Sequence, residues 1–467
     1  MKLIQLTTMS LTVSVLLGCS SITQRNHFKG INTALDRGDI ISAAINAEKL
    51  AGPIDPKTGK TDNLLWTLEA GTLNYALDNN KRTIKLFDAA EKEFKQENNE
   101  GIITTTGENI ASTIVNQSIL DYKPTQFDMV YANYYKAMSF WKLHDLKSAR
   151  IEFNRTAERQ RRAAQYFSDE INTQKKLVTK TQHNQKIDYS KTMNAMNTKM
   201  ASQINMTGSQ WTPYKDYVNP AVTYSNALFF MLNGTSKSDY RKAVDGFKRV
   251  YGISKNAAVK NDLQMARGLV RGHSLSSYKP SIWLIHEDGL APKKSEFRLD
   301  LPIFLVSSHV QTASIAFPRM NNGTPGINSI SVDNFRTQKI SDVSKIIKAE
   351  FKQKMPSIIT KTIANTVTKI LMQVVANQTS KKAGLLGSVI KLGTSIYTVA
   401  STSADIRTNT ALPNSVGVTR IPKKEHFTIH AGQYQIPVQT DPKSKFTIIY
   451  VRTINALTQP VVSIINI

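Results

Sequence analysis

Within the first 260 residues, large apolar side chains recur at helical spacing in four pairs of segments, each pair joined by a short polar turn. In the first pair Phe28, Ile31 and Leu35 mark one helix, Arg37-Gly38-Asp39 the turn, and Ile40, Ala44, Ala47 and Ala51 the return. In the second, Trp66, Ala70, Leu73 and Leu77 step by four, three and four. Asp78-Asn79-Asn80 turns the chain, and Ile84, Phe87, Ala90 and Phe94 come back. The third runs Val130, Tyr134, Ala137, Trp141, then His144-Asp145, then Leu146, Ala149, Phe153 and Ala157. The fourth sets Tyr224, Leu228 and Met231 before a polar turn from Asn233 to Ser238, and Tyr240, Val244, Phe247 and Tyr251 after it. Large residues with alanines between them let paired helices approach closely, so this stretch must bury its apolar stripes helix against helix.

The pattern resembles tetratricopeptide-type packing, in which hairpins stack and share one core. The repeats are degenerate and interrupted, so a strict 34-residue period is absent, and a plain helical bundle is the competing architecture. Ile102 to Tyr122, rich in Thr, Asn and Ser, reads as a long loop. Gln165 to Thr212 continues a helix and then turns polar, with no clear apolar face in its middle.

From about Ser276 the period changes from helical to alternating. Ser281 to Ile285 reads as a buried strand, and Glu296 to Leu301 alternates charged and apolar residues, as in a sheet with one wet face. Asp288 to Pro292 is a turn between them. Further strands are expected at Val310–Phe317, Ser415–Arg420, Phe427–Ala431, Phe446–Val451 and Val461–Ile465. A helical block, Ser341 to Asp405, is inserted. Ser341 suits an N-cap, and Pro356, lacking an amide hydrogen, is expected to break the first helix. Ile359, Ile363, Val367, Ile370 and Val374 form a stripe. A second helix, about Leu385 to Thr402, carries Gly384, Gly387 and Gly393 and contains Lys391. It is apolar for only about 18 positions, short for a membrane span, and pairing of the two helices against the sheet is the favoured reading.

The N-terminus begins Met1-Lys2 and continues with a mostly apolar run, Leu3 to Leu17, that lacks acidic residues. A basic start, a short hydrophobic core and a small residue before the break describe a secretory signal. The break falls before Cys19, the only cysteine, and Leu16-Leu17-Gly18-Cys19 looks like a bacterial lipobox. Lipidation of Cys19 is expected, with more than one acyl chain giving stable anchorage. Ser20 rather than Asp follows, which by resemblance to enteric-type lipoproteins favours the outer membrane. Seven residues, Ser20 to Asn26, reach at most about 24 Å, so the folded part sits near the lipid. No cysteine then remains for a disulfide.

Sixty Lys and Arg against 35 Asp and Glu give a net charge of +25. A secreted, tethered chain does not meet nucleic acid. Anionic headgroups, anionic glycans or an acidic protein partner are the candidate attractants; a genome-wide habit of Lys and Asn is the bland alternative.

Several phrases stand out together: Leu64 to Thr72; Phe127-Asp128 with Asn133 to Ala137; Arg150 to Arg155 with Glu158 to Ala163; Gly289 to Lys294; Ala404 to Arg407; and Leu412-Pro413. They resemble a family of largely uncharacterised bacterial lipoproteins with tetratricopeptide-like repeats. The resemblance spans most of the mature chain and implies fold and location, with no catalytic residues.

The strongest local charge feature is the segment Lys147 to Arg162. Arg155, Arg159 and Arg162 share a helical face, either as an anion-binding ridge for a glycan carboxylate or lipid phosphate or as a paired, solvated face in which Glu158 meets Arg162. Glu69 and Asn154 are candidates for polar groups buried between hairpins. His426 and His430 share a strand face about 13 Å apart, too far for one metal, and His273 and His286 lack partner spacing. No Gly-x-Ser-x-Gly, His-Glu-x-x-His or phosphate-binding loop occurs. Asp288, Glu296 and Asp300 are a carboxylate group that solvation explains adequately. No catalytic residue, metal or cofactor is expected.

The fold class is therefore α + (α+β): tetratricopeptide-like helical hairpin repeats followed by a β-rich domain with an inserted helical pair. Its parts are a signal peptide (1–18), a lipid anchor and tether (19–26), a repeat domain (27–275) and an α+β domain (276–467) with a helical insertion (341–405). The functional expectation is a non-catalytic, lipid-anchored scaffold facing the periplasm at the outer membrane. It would hold the membrane through its anchor and envelope proteins through its repeats, with peptidoglycan or anionic lipid as further contacts. The alternatives are a peptidoglycan-contacting regulator of cell-wall synthesis and an envelope glycan-acting enzyme.

Overall fold

The computed structural model describes residues 26–100, 122–163, 219–304, 310–356 and 403–467, with isolated positions in 191–198 and 358–366. Cys19, nearly all of the 102–122 and 165–212 inserts, the 385–402 helix and most of the Ile359–Val374 stripe lie outside the described residues. No described helix is long and apolar enough to cross a membrane.

The chain opens with helices. They are α1 (26–36), α2 (Ile40–Ala51), α3 (Leu64–Ala76), α4 (Asn80–Glu100), α5 (Gln126–Lys142), α6 (146–163), α7 (Pro220–Leu232), α8 (Lys237–Ser254) and α9 (Ala257–Val270). Several starts carry a residue suited to capping. Asp39 accepts from the Ser42 amide and Asn63 from that of Trp66; Thr125 and Asp128 close a reciprocal capping box. Asn219, followed by Pro220 at the first helical position, starts α7. Helix α9 has no counterpart among the four expected pairs. Its apolar positions Val259, Leu263 and Ala266 are completed by Leu269 across the last turn.

Three of the hairpins close in one way. Gly38, Asp78 and His144 take left-handed backbone angles, φ 78, 65 and 60. Their amides donate to carbonyls three residues back, on Leu35, Tyr75 and Trp141. The next amides, of Asp39, Asn79 and Asp145, donate five back to Ala34, Asn74 and Phe140. That is the helix-ending motif in which a left-handed residue satisfies the orphan carbonyls. Glycine fills it without strain; Asp78 and exposed His144 do not. His144→Gly is expected to stabilise the protein by about 1 kcal/mol, read as a higher urea midpoint at unchanged slope.

The C-terminal half is sheet-rich. A five-stranded sheet runs β11 (Val461–Asn466), β10 (Phe446–Thr453), β1 (Ser281–Asp288), β7 (Ser415–Pro422), β6 (Gln338–Asp342). Only the β1–β10 pairing is parallel. A four-stranded sheet runs β5 (Phe335–Arg336), β4 (Ser331–Val332), β8 (His426–Ala431), β9 (Tyr434–Gln439). Strands β2 (Lys294–Phe304) and β3 (Val310–Met320) pair separately.

Side-chain alternation on β1 explains the layering. Trp283 and Ile285 join the core formed with the helices, whereas Ile282 and Leu284 join a second core against the four-stranded sheet. Strand β10 divides in the same way, with Ile448 and Tyr450 toward the helices and Ile449 and Val451 toward the other sheet. The order is helices, sheet, sheet. The helix-side core is continuous from Phe28 to Ile465.

Two expectations about the insertion change. Ser341 lies in β6, and Asp342 caps the helix that follows (α10, 343–356) by accepting from the Lys345 amide at 3.1 Å. Sequence periodicity could not see that a strand runs directly into this helix. Pro356 is itself helical, and so are the described positions 358, 359, 362, 363 and 366 beyond it. A helical proline loses its own amide bond and crowds the carbonyl four residues back, but buried Met355, Ile359 and Ile363 hold the segment on both sides.

Candidate functional site

The basic face of α6 is made of internal pairs. Arg155 donates to Glu152 at 2.7 Å. Arg162 and Arg161 both donate to Glu158 and hold its carboxyl down to about 2. Arg159 turns inward. It forks onto both oxygens of Glu91 at 3.0 Å, donates to the Met129 carbonyl and to Asn133, and lies over the Phe94 ring. The three arginines share a helix but do not form one open anion site: Arg155 and Arg162 remain on the surface with acids of their own, while Arg159 fastens α6 to α4 and α5.

Beneath this face lie residues that the apolar pattern could not single out. Lys136 is buried with its ammonium 2.7 Å from Asp88 and 2.9 Å from Glu152. Asn133 donates to Glu152 at 2.6 Å. Their signal in the sequence is charge placed on the inward stripes of α5 and α6. Arg159→Ser should cost about 2 kcal/mol, because it strands Glu91 and Asn133. Arg162→Ser, breaking an exposed pair, should cost less than about 0.5 kcal/mol. Urea unfolding of the two variants separates the roles.

A second polar network joins helices to sheet. Glu69, from the middle of α3, is fully buried and accepts from the Thr410 amide at 2.9 Å and the Thr410 hydroxyl at 2.6 Å. Burial raises its carboxyl to about 7, against those hydrogen bonds. Glu69 thus bridges a hairpin to the segment before β7, rather than hairpin to hairpin as expected, because that segment crosses α3. Asn154 is exposed and accepts from Lys242, so it is not a buried group. Glu350 of α10 accepts from the Gln126 and Phe127 amides, a carboxylate at the start of α5 where free N–H groups point.

At the centre, Tyr135 of α5 donates to Glu287 of β1 at 3.0 Å and stacks on Tyr75, which meets Tyr450 edge-on. Burial raises the Glu287 carboxyl against the pull of Arg452. Arg452 donates to the carbonyls of Thr453, Ala411 and Glu287. Asp262 of α9 accepts from Tyr224 at 2.8 Å and Trp283 at 3.0 Å, and pairs with Arg420.

The remaining sequence candidates are placed as follows. Asp288 is buried rather than solvated and accepts from the Gly326 and Ile327 amides and the Thr453 hydroxyl. Glu296 is half-buried and accepts from the Ala404 amide, while Asp300 is exposed. A strand's wet face becomes internal where the chain before β7 crosses it. His286 is sealed beside Thr453, and burial lowers its imidazole to about 4. His426 and His430 share the exposed face of β8, and His273 is exposed. Among the described residues, no three His, Cys, Asp or Glu side chains group to hold a metal.

Comparison of the chain with protein-family models, curated proteins and solved structures finds no match.

Proposed function

We propose that this protein is a lipid-anchored, non-catalytic scaffold of the bacterial envelope, held at the periplasmic face of the outer membrane through Cys19 and offering its helical hairpins to protein partners. The lipobox-like Leu16 to Cys19 supports the anchor. The tetratricopeptide-like reading of the helices draws on the shared turn at Gly38, Asp78 and His144, and on the packing of successive helices α2, α3, α4 and α5. The resemblance to repeat-bearing lipoproteins gives the same reading.

The observation that carries the scaffold is the seam. Glu69, Glu287, Asp262 and Glu350 each accept from the protein's own donors and are closed to solvent. What they accomplish is rigidity: two regions locked into one body with fixed surfaces. Crosslinking in intact cells, followed by identification of the attached protein, tests the reading. A reproducible envelope protein is expected; crosslinks to self alone would refute it. Sedimentation with purified sacculi, lost at high salt, would favour the cell-wall regulator instead. Cys19→Ser should move the protein from the membrane to the soluble fraction.

A further inference from the structure

Several arginines have an acid within the fold: Arg82 has Glu48, Arg150 has Asp239, Arg159 has Glu91 and Arg407 has Asp405. One cluster does not. A groove of about 370 Å³ between α8 and α9 is lined by Arg241, Val244 and Asp245 from the first helix and Arg267, Val270 and Arg271 from the end of the second. All three arginines are exposed, and none has an ion pair or side-chain hydrogen bond among the described residues.

Local structure explains this only in part. Arg267 occupies the last turn of α9, where the helix dipole favours a cation. Arg271 lies one turn on, and like charges at that spacing repel by a few tenths of a kcal/mol. Arg241, one turn into α8, adds a third charge. Three arginines against Asp245 leave the groove net positive, a charge that a bound anion would neutralise.

We infer that this groove binds an acidic peptide segment of a protein partner, with its carboxylates on Arg241, Arg267 and Arg271 and an apolar side chain on Val244 and Val270. Guanidinium groups match carboxylates with paired hydrogen bonds. The valine floor, half-buried between the charges, accepts an aliphatic side chain and gives nothing to a hydrated phosphate headgroup. Asp245 also lines the groove; it can accept a peptide N–H, and its charge opposes any bound anion. The inference rests on the scaffold reading and names the chemistry of one partner.

The test uses the full chain and a fluorescein-labelled hexapeptide, Glu-Leu-Glu-Asp-Val-Glu, with its Gln/Asn counterpart, followed by anisotropy. The triple change Arg241→Gln, Arg267→Gln, Arg271→Gln is expected to weaken binding at least tenfold. A charge-matched control, Lys85→Gln, Lys248→Gln, Arg249→Gln at exposed positions, should change it less than twofold, and the neutral peptide should not bind. Asp245→Asn should tighten binding two- to threefold, a gain that no loss of folding can imitate. Equal loss in triple and control, no binding of the acidic peptide, or arginine-dependent binding of phosphatidylglycerol vesicles or sacculi in its place would overturn the inference. A crosslinked envelope partner recovered equally by the wild type and the arginine triple would leave the scaffold standing and remove the groove from it.

Discussion

Arg452→Met is expected to remove about 4 kcal/mol of stability, the largest single effect in the protein. The side chain is among the largest that are fully buried. It donates to the Thr453 carbonyl at 2.6 Å, the Ala411 carbonyl at 3.0 Å and the Glu287 carbonyl at 3.3 Å. Methionine fills much of the volume but supplies no donor. The carbonyls lose these donors, and the positive charge that offsets burial of Glu287 is lost. Arg452→Lys keeps the charge but cannot span three carbonyls, so it should recover less than half of the loss. Denaturant unfolding at neutral pH measures both. A loss below about 1 kcal/mol for Arg452→Met would mean that Arg452 contributes little beyond the volume that methionine also fills.

The second large effect is a pH dependence set by Glu69. Its carboxyl lies near 7 in the folded protein against an ordinary 4.5, because burial disfavours the charged form more than Thr410 and Ala411 can offset. Below pH 4.5 both folded and unfolded states are protonated there, and nothing is lost. Between 4.5 and 7 the unfolded chain gives up its proton while the folded protein keeps it, so stability falls as pH rises. Above 7 the loss is complete, on the order of 3 kcal/mol. Glu69→Gln cannot ionise. The stability difference between variant and wild type should therefore shift toward the variant by about that amount across the window. Buried His286, lowered to about 4, acts in the opposite sense, losing stability as pH falls, but contributes equally to both proteins and cancels. A difference flat from pH 4.5 to 8 would show that Glu69 is ionised, or in contact with solvent, throughout.

What could be read from the sequence follows from what leaves a periodic trace. The stripes of α3 and α5 are legible because Trp66, Ala70, Leu73, Tyr134, Ala137 and Trp141 repeat every three or four residues and are all buried. The hairpin turns at Gly38, Asp78 and His144 announce themselves by polar residues between stripes. Strand β1 reads as buried because both of its faces are covered. Helix α9 is harder to see, since Asp262 sits on its inner stripe and serves Tyr224 and Trp283 rather than the core. Strands β4 and β5 have two residues each, too few for any period. The arginine face of α6 is visible as composition, but not the inward turn of Arg159, which depends on Glu91 lying 68 positions earlier in the chain. The seam was out of reach for the same reason: Glu69 meets Thr410 across 341 positions.

The proposed docking platform in the envelope has meaning only if the chain is tethered, and the proposed tether rests on one residue. Mass spectrometry of the N-terminal peptide, taken from protein purified out of the membrane fraction, addresses it directly. The expected result is a chain beginning at Cys19 with a diacylglyceryl thioether on its sulfur and, in most molecules, a third acyl group on its amine. An intact Met1 start, or a free thiol at Cys19 in protein recovered from the cytosol, would contradict it.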